Sequence, residues 1–254
     1  MNLIYQVYVG DRNPLYDICC KSVNDYAQRI GAEHIIQREP ILKIRPIESH
    51  RSLEAVERLG YLPIYEKENA FDLLKAFEKI LILDSDIFVK PTAPDIFNEI
   101  ESYDFAGVVE REMPITKKYA HKIKKYSEGQ YRPLVNEADF LWNGLGAEFF
   151  NMGLMLCNKS LRNYLNNETA KQFITRKEFE RFVNGEGAWK WSTDQTLLNF
   201  WIKKYKINSK HLNWKWNALY RGIEDSLLKD AYFVHFFLSS YIEDPIDQII
   251  KEIL

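Results

Sequence analysis

Residues 79–89 have the sequence KILILDSDIFV. The continuous apolar run before the two acids is typical of a strand buried on both faces in the middle of a parallel sheet. In an open α/β sheet, ligands bind at the carboxyl ends of the strands. The segment therefore predicts both the core of an α/β fold and, at Asp84 and Asp86, a site at its edge.

The beginning of the chain predicts the rest of this sheet. Residues 3–9, LIYQVYV, are β-branched and aromatic and predict a strand, which stops at the turn residues GDRNP. Apolar residues then recur at helical spacing from Pro14 to Ile30, and Gly31 suits the position just after a helix. Residues 32–36 predict a second strand. Strand, helix and strand in this order open a nucleotide-binding α/β sheet, here without a glycine-rich phosphate loop.

The remaining patterns continue this alternation to the end of the chain. No repeat, low-complexity tract or linker interrupts them, so the sequence predicts a single domain over residues 1–254. They predict helical stretches at 62–77, 94–100, 160–182 and 192–205, strands at 105–109, 149–157 and 231–236, and an irregular, partly basic segment at 111–148.

Composition and charge narrow the class of protein. The chain has 254 residues, with 34 Lys and Arg against 36 Asp and Glu, and this near-neutral balance argues against a nucleic-acid partner. Its three cysteines, Cys19, Cys20 and Cys157, are predicted to be free buried thiols because two are adjacent and the count is odd. No apolar run approaches the ~18–20 residues of a membrane span, and residues 1–5 do not begin a secretory leader. The sequence predicts a soluble cytoplasmic protein and is compatible with a homodimer.

Asp84-Ser85-Asp86 is the strongest chemical signal. In an extended segment, residues two apart project to the same side, so both carboxylates can face one ion. Their hard oxygen atoms suit Mg²⁺ or Mn²⁺, which would in turn hold a diphosphate. The alternative is that the acids merely end the strand in solvent.

Three further candidates each have a structural alternative. Asn151 and Gly153 interrupt an apolar strand, as in a sugar-binding edge or as in a β-bulge. Asp194 begins a helix after Thr193, where an acid can act on a ligand or simply stabilise the helix start. His235 lies in an apolar strand, either as a metal ligand or as a core histidine.

Taken in order, these motifs resemble GT-A glycosyltransferases. They are most similar to the retaining group that includes glycogenin and the bacterial lipopolysaccharide galactosyltransferases. The segments that carry the resemblance are Lys79–Val89, Phe150–Asn158, Thr193–Asn199 and Val234–Phe236.

The resemblance implies a fold and an activity. The fold would be the Rossmann-like GT-A fold: one domain with a mixed, mainly parallel sheet flanked by helices, residues 1–110 forming the nucleotide-binding half and residues 111–254 the acceptor-side half. The activity would be the metal-dependent transfer of a sugar, with retention, from a nucleotide-sugar donor, typically a UDP-sugar, to a hydroxyl of a carbohydrate or other acceptor.

The resemblance also implies roles for individual residues. Asp84, Asp86 and His235 would hold Mn²⁺ (or Mg²⁺), and the imidazole favours Mn²⁺. Asn151 and Asp194 would face the transferred sugar near the reacting carbon. The residues implied on the donor side are Tyr8, near the base or ribose, Lys67, and the acidic motif Asp84, Ser85 and Asp86.

Two positions depart from the family pattern. The family continues from His-Phe to a lysine that contacts the diphosphate, whereas residues 237–241 are FLSSY. Thr196 stands where the family has the second acid of Asp-Gln-Asp. The subfamily and the stereochemical outcome therefore stay open at the level of sequence.

Two other classes of protein compete with this interpretation. A phosphatase of the haloacid dehalogenase type also places Asp-x-Asp after an apolar strand, with the first Asp as nucleophile, although Phe88 and the late position of the motif count against it. A non-catalytic binding protein would use the acids only to end a strand. Tryptophans in the loops at 142, 189, 191, 214 and 216 would stack on an acceptor sugar if exposed and fill the core if buried.

Overall fold

The structure, a computed structural model, describes residues 1–46, 59–237 and 246–254. The helices of these residues are α1 (Pro14–Ile30), α2 (Ala70–Leu73), α3 (Lys117–Tyr131), α4 (Ala170–Ile174), α5 (Glu180–Asn184), α6 (Asp194–Lys204) and α7 (Ile246–Ile253). The strands are β1 (Asn2–Val7), β2 (Glu33–Gln37), β3 (Lys79–Leu83), β4 (Ile87–Val89), β5 (Phe105–Val109), β6 (Trp142–Asn143), β7 (Gly146–Ala147), β8 (Phe150–Asn158), β9 (Ser209–His211), β10 (Ala218–Leu219) and β11 (Phe233–His235).

The main sheet has six strands in the order β2-β1-β3-β8-β5-β9. β8 runs antiparallel to both of its neighbours, β3 and β5, and the other pairs are parallel. The two strands in the middle are almost wholly buried, as their continuous apolar sequences predict. The predicted mixed, mainly parallel α/β sheet flanked by helices is therefore confirmed.

Helix α1 forms where the sequence predicts it. The Asn13 side chain accepts a hydrogen bond from Leu15 N at 2.9 Å and caps the first turn. Gly31 ends the helix at φ 69°, in the left-handed region that glycine adopts without a Cβ clash. The helix packs against β2 and β4 and so ties the main sheet to a second one.

The predicted strand over residues 79–89 is in fact two strands joined by a turn. Ile87 N donates to Asp84 O at 3.2 Å, which closes a turn over Asp84-Ser85-Asp86. β4 then leaves the main sheet and joins a three-stranded sheet of order β10-β11-β4. The two acids come together because they share this turn, and not because they alternate along an extended strand.

The segment at 111–148 is more regular than expected. It contains α3, which Thr116 caps by accepting a hydrogen bond from Tyr119 N, and the hairpin of β6 and β7. The basic residues that obscure the pattern are exposed, while Tyr119, Ile123 and Tyr131 are buried.

The two long helical stretches predicted at 62–77 and 160–182 are broken into short pieces. Pro63–Asn69 forms a 3₁₀ helix that leads into α2. In the later stretch, Asn166 and Asn167 have positive φ, and Thr169 starts α4 with a capping box to Gln172. Periodicity alone does not register such interruptions, because the apolar spacing continues through them.

The predictions about the cysteines and about membrane spans can be compared with the structure. Cys19, Cys20 and Cys157 are buried and free, as predicted. Within the described residues, no helix combines the length and apolar character needed to cross a bilayer.

Candidate metal and donor site

Three side chains converge at the turn that follows β3. In the antiparallel pairing of β11 with β4, His235 lies opposite Ile87, the residue after Asp86. His235 Nε2 is 3.2 Å from Asp86 Oδ1 and 3.8 Å from Asp84 Oδ2. One ligand atom from each of the three residues lies within 4.8 Å of the others.

Charge pairing couples His235 to the two acids in spite of their burial. Burial would lower the pKa of His235, but the Asp86 and Asp84 carboxylates hold it above its ordinary value. Burial would raise the pKa of Asp86, but His235 holds it below its ordinary value. Asp86 Oδ1 is buried and faces His235 Nε2 without a well-aligned hydrogen bond, so a ligand placed between them could bind both atoms.

The donor set fits a divalent metal ion. Two carboxylate oxygens and an imidazole nitrogen lie within 4.8 Å of one another, and one of the oxygens, Asp86 Oδ1, is buried without a well-aligned hydrogen bond. Carboxylates accept Mg²⁺ and Mn²⁺, and the imidazole nitrogen favours Mn²⁺ of the two.

Lys67 lies on the other side of Asp84. Its Nζ is 2.8 Å from Asp84 Oδ1, 2.9 Å from Asp194 Oδ2 and 2.7 Å from Met152 O. Burial would lower the pKa of Lys67, but Asp194 and Asp84 raise it above its ordinary value, so the ammonium keeps its proton. Lys67 therefore links the acidic turn at Asp84–Asp86 to the first residue of α6.

Asp194 is brought to this point by the start of α6. Thr193 accepts a hydrogen bond from Gln195 N and acts as the N-cap, so Asp194 is free to turn toward Lys67. Gln195 in turn accepts from Met152 N at 3.2 Å, which fixes the helix start against β8.

A cavity of about 240 Å³ opens beside these groups. Its polar wall consists of Lys67, Asp84, Ser85, Asp86 and Asp194, which are five of the residues predicted from the sequence. Tyr16 and Pro63 contribute to its apolar wall. Tyr16 was missed from the sequence, since a tyrosine in the first turns of a helix carries no signal of its own.

Three predicted residues lie outside the lining of this cavity: His235, which faces the two acids from β11, and Tyr8 and Asn151. Tyr8 is 3% exposed, and its ring is covered by the Arg38 guanidinium at 4.1 Å and met edge-on by Tyr16. Asn151 is 6% exposed and donates to Glu110 Oε1 at 2.7 Å. The predicted contacts of Tyr8 with the base and of Asn151 with the sugar stay predictions.

The tryptophans predicted for the acceptor side divide by exposure. Trp216 is buried, the Trp142 ring is covered by the Arg132 guanidinium at 3.9 Å, and Trp189 donates to Gln130 O. Trp191, three residues before Asp194, is 67% exposed.

A second group of potential ligands has a simpler explanation. Glu112, Glu148 and His211 also approach one another. The Glu148 carboxylate, however, pairs with Lys203 and, at 3.1 Å, with Arg111. Its charge is already balanced, so the group is an ion-pair network.

A family model and several solved structures match most of the chain. A family model described as glycosyl transferase family 8 matches residues 9–240. Among solved structures, the chain is similar to a glycosyltransferase involved in glycosylation of the major capsid of PBCV-1, at 13% identity and a TM-score of 0.56, covering 99% of this chain and 98% of that one. It is also similar to mouse xyloside xylosyltransferase 1, at 12% identity and a TM-score of 0.56, covering 95% and 100%. An active-site mutant of LgtC aligns at 10% identity and a TM-score of 0.51, covering 99% and 95%. No curated protein matches the sequence.

Proposed function

Because the chain belongs to glycosyl transferase family 8, we propose that it transfers a sugar from a UDP-sugar to a hydroxyl acceptor, with Mn²⁺ or Mg²⁺ bound by Asp84, Asp86 and His235. The family membership makes the protein a glycosyltransferase that uses a nucleotide-sugar donor. Membership of this family decides against the two competing classes, the phosphatase and the non-catalytic binding protein. The observation that carries the metal site is the convergence of three ligand atoms within 4.8 Å, one of them a buried oxygen without a well-aligned hydrogen bond.

A metal ion held by Asp84, Asp86 and His235 would supply Lewis-acid chemistry and balance negative charge on the diphosphate. The residues of this chain then position the donor. Asp84 is shared between the metal site and Lys67, so the metal-binding turn and the lysine form one unit. Lys67 pairs with both Asp84 and Asp194, and a diphosphate held there would replace part of this pairing with carboxylates.

Asp194 is proposed to face the transferred sugar. It is 7% exposed, lines the cavity and is anchored through Lys67. A carboxylate held there can stabilise positive charge that develops at the reacting carbon. Asn151 is proposed as a second group on the side of the transferred sugar. It is buried behind the residues that line the cavity.

The proposed stereochemical outcome is retention. The acceptor hydroxyl would attack on the face that the diphosphate leaves, and the departing phosphate oxygen would take its proton. No side-chain base is then required. The product anomer, determined by NMR, tests this step, and an inverted linkage would contradict it.

The donor and the metal are tested together by thermal unfolding. Mn²⁺ with UDP is expected to raise the midpoint temperature of unfolding, because a ligand that binds only the folded state stabilises it. At a ligand concentration of 100 times the Kd, the free energy of unfolding rises by about 2.7 kcal/mol. Asp86→Asn is expected to remove the metal-dependent part of the shift.

The exposed residue Asp25, in a surface ion pair with Lys21, offers a matched control. Asp25→Asn is expected to leave the shift unchanged. A shift that persists in Asp86→Asn would remove Asp86 from the metal site, and the absence of any shift with UDP-, GDP- or CDP-sugars and metal would contradict the proposed donor class. A carbohydrate or other hydroxyl acceptor, a homodimer and a cytoplasmic location stay predictions of the sequence.

A further inference from the structure

The imidazole of His235 is held from behind by a buried chain of hydrogen bonds. Asn151 Nδ2 donates to Glu110 Oε1 at 2.7 Å, Asn217 Nδ2 donates to Asn151 Oδ1 at 2.9 Å, and His235 Nδ1 lies 3.0 Å from Asn217 Oδ1. Each of the four side chains is at most 6% exposed. We call Glu110, Asn151 and Asn217 the relay.

The direction of the relay is fixed by a backbone group. Gly153 N–H can only donate, and it meets Asn151 at 3.0 Å, so the amide atom that it meets is the oxygen. The Asn151 nitrogen must therefore face Glu110. The other Glu110 oxygen accepts from the Tyr119 hydroxyl at 2.9 Å, so the carboxyl group is held on both sides.

This direction passes to the histidine. Because Asn151 presents its oxygen, Asn217 must present its nitrogen, which leaves the Asn217 oxygen facing His235. An amide oxygen only accepts, so His235 Nδ1 must carry a proton. The other ring nitrogen, Nε2, is the one directed at Asp86 and Asp84.

The backbone of β8 leaves room for this arrangement only at a glycine. A Cβ on Gly153 would lie 2.2 Å from His235 Cε1 and 2.7 Å from His235 Nδ1. The imidazole therefore lies directly against the strand, within reach of Asn217.

From these contacts we propose that Glu110, Asn151 and Asn217 are positioning residues that commit the proton of His235 to Nδ1 and so reserve Nε2 for the metal ion. The proposal rests on the metal site of the proposed function. It gives Glu110 and Asn217, which no motif indicates, a role that requires no contact with the donor or the acceptor. Partners that orient a metal-bound histidine in this way commonly change metal affinity by 10- to 100-fold when they are removed.

The first test is the affinity for Mn²⁺ alone, measured from the electron paramagnetic resonance of the free ion. Asn217→Ala removes the acceptor of Nδ1–H and is expected to raise the Kd by about 10- to 100-fold. Asn217→Asp keeps an oxygen facing Nδ1 and is expected to raise it less. Asn213→Ala, at an exposed asparagine that caps the neighbouring turn, is the matched control and is expected to bind Mn²⁺ as the parent does.

The second test does not depend on the metal. In metal-free protein with ¹⁵N-labelled histidine, His235 Nδ1–H is expected to give an NMR signal protected from solvent exchange, whatever the state of Nε2. Asn217→Ala should lose that signal and Asn217→Asp should keep it.

The outcomes separate the two proposals. A parent protein that shows protected Nδ1–H but binds no Mn²⁺ contradicts the proposed metal site and supports the relay. An unprotonated Nδ1 in the parent, or an unchanged Kd and signal in Asn217→Ala, would overturn the relay.

Discussion

Single residues at the site are placed by contacts that are distant in sequence. Lys67 reaches Asp84 and Asp194 at the same time, and Gly153 admits the imidazole of His235. The Nζ atom of Lys67 holds the two acids together, and the missing Cβ of Gly153 leaves space for the ring. Substitutions at these positions are therefore expected to change ligand affinity more than they change the stability of the fold.

Gly153→Ala is expected to weaken Mn²⁺ binding by about tenfold or more. The added Cβ would overlap the His235 ring, which is buried and must move away from Asp86. The Mn²⁺ titration described above measures the effect. Gly144→Ala is the matched control because a Cβ there meets nothing within 4 Å, and equal affinities in the two variants would contradict the role given to Gly153.

Glu68 gives the protein a pH-dependent stability. It is fully buried, and neither carboxylate oxygen has a hydrogen-bond partner in the described structure. Burial, with the nearby charge of Asp194, raises its pKa well above the ordinary value of 4.5. As the pH rises above 4.5, the unfolded chain loses this proton while the folded protein keeps it, so folding becomes less favourable by up to about 1.4 kcal/mol per pH unit.

Glu68→Gln is therefore expected to be more stable than the parent at pH 7 and equal to it near pH 4. Urea unfolding at a series of pH values measures the difference. Glu101→Gln, at an exposed glutamate, should show no such trend. A constant difference across the series would contradict a neutral Glu68 in the folded protein.

The candidate residues that come together in the structure are those that the sequence indicated through short motifs. Asp84, Asp86 and His235 converge in the structure, and Lys67 and Asp194 meet beside them. Glu110 and Asn217 could not be predicted in the same way, because each acts through a neighbour from another part of the chain. A buried hydrogen bond between distant residues leaves no periodicity and no spacing in the sequence.

At the scale of elements, α3 braces the start of α6. Thr196 Oγ1 donates to Gln130 Oε1 at 3.0 Å and lies 3.1 Å from the Tyr126 hydroxyl, so one buried hydroxyl joins the two helices. Thr196 stands where the resembling family has an acid. Here the position holds a helix contact instead.

Thr196→Val is expected to lower the free energy of unfolding by about 1–3 kcal/mol, because it leaves Gln130 and Tyr126 without their buried partner. Valine has nearly the shape of threonine, so packing changes little. Urea unfolding measures the loss. Thr175→Val, at an exposed threonine of the segment after α4, is the control, and an equally small effect at both sites would contradict the bracing role.

Elements were predicted where local patterning and chain breaks coincide. Asn13, Pro14 and Gly31 bound α1 at both ends, so the helix has the limits that the sequence predicts. The turn at Asp84–Asp86 was hidden because apolar residues continue on both sides of it. The direction of β4 is decided by its pairing with β11, which no local pattern records.

At the scale of the whole molecule, β8 joins the two halves predicted from the sequence. It lies between β3 and β5, which both belong to residues 1–110, while β8 itself belongs to residues 111–254. Residues 1–110 therefore lack the strand that pairs with both β3 and β5. The sheet is completed only by the second half.

A fragment of residues 1–110 is expected not to fold, since β3 and β5 would each expose an unpaired edge. Far-ultraviolet circular dichroism and the dispersion of amide NMR signals measure this. A fragment of residues 1–165, which includes β8, is the control and should recover strand structure. A cooperatively folded 1–110 fragment would contradict the dependence on β8.

The position of β8 also has a consequence for synthesis on the ribosome. The chain emerges from its amino end, so β3 and β5 are made well before the strand that separates them in the sheet. Long-range pairings of this kind form late and leave apolar strands exposed in the meantime. The last member of the proposed metal site, His235, emerges later still. An incomplete chain therefore lacks one of the three proposed ligands, and metal-dependent transfer is expected only after translation has passed β11.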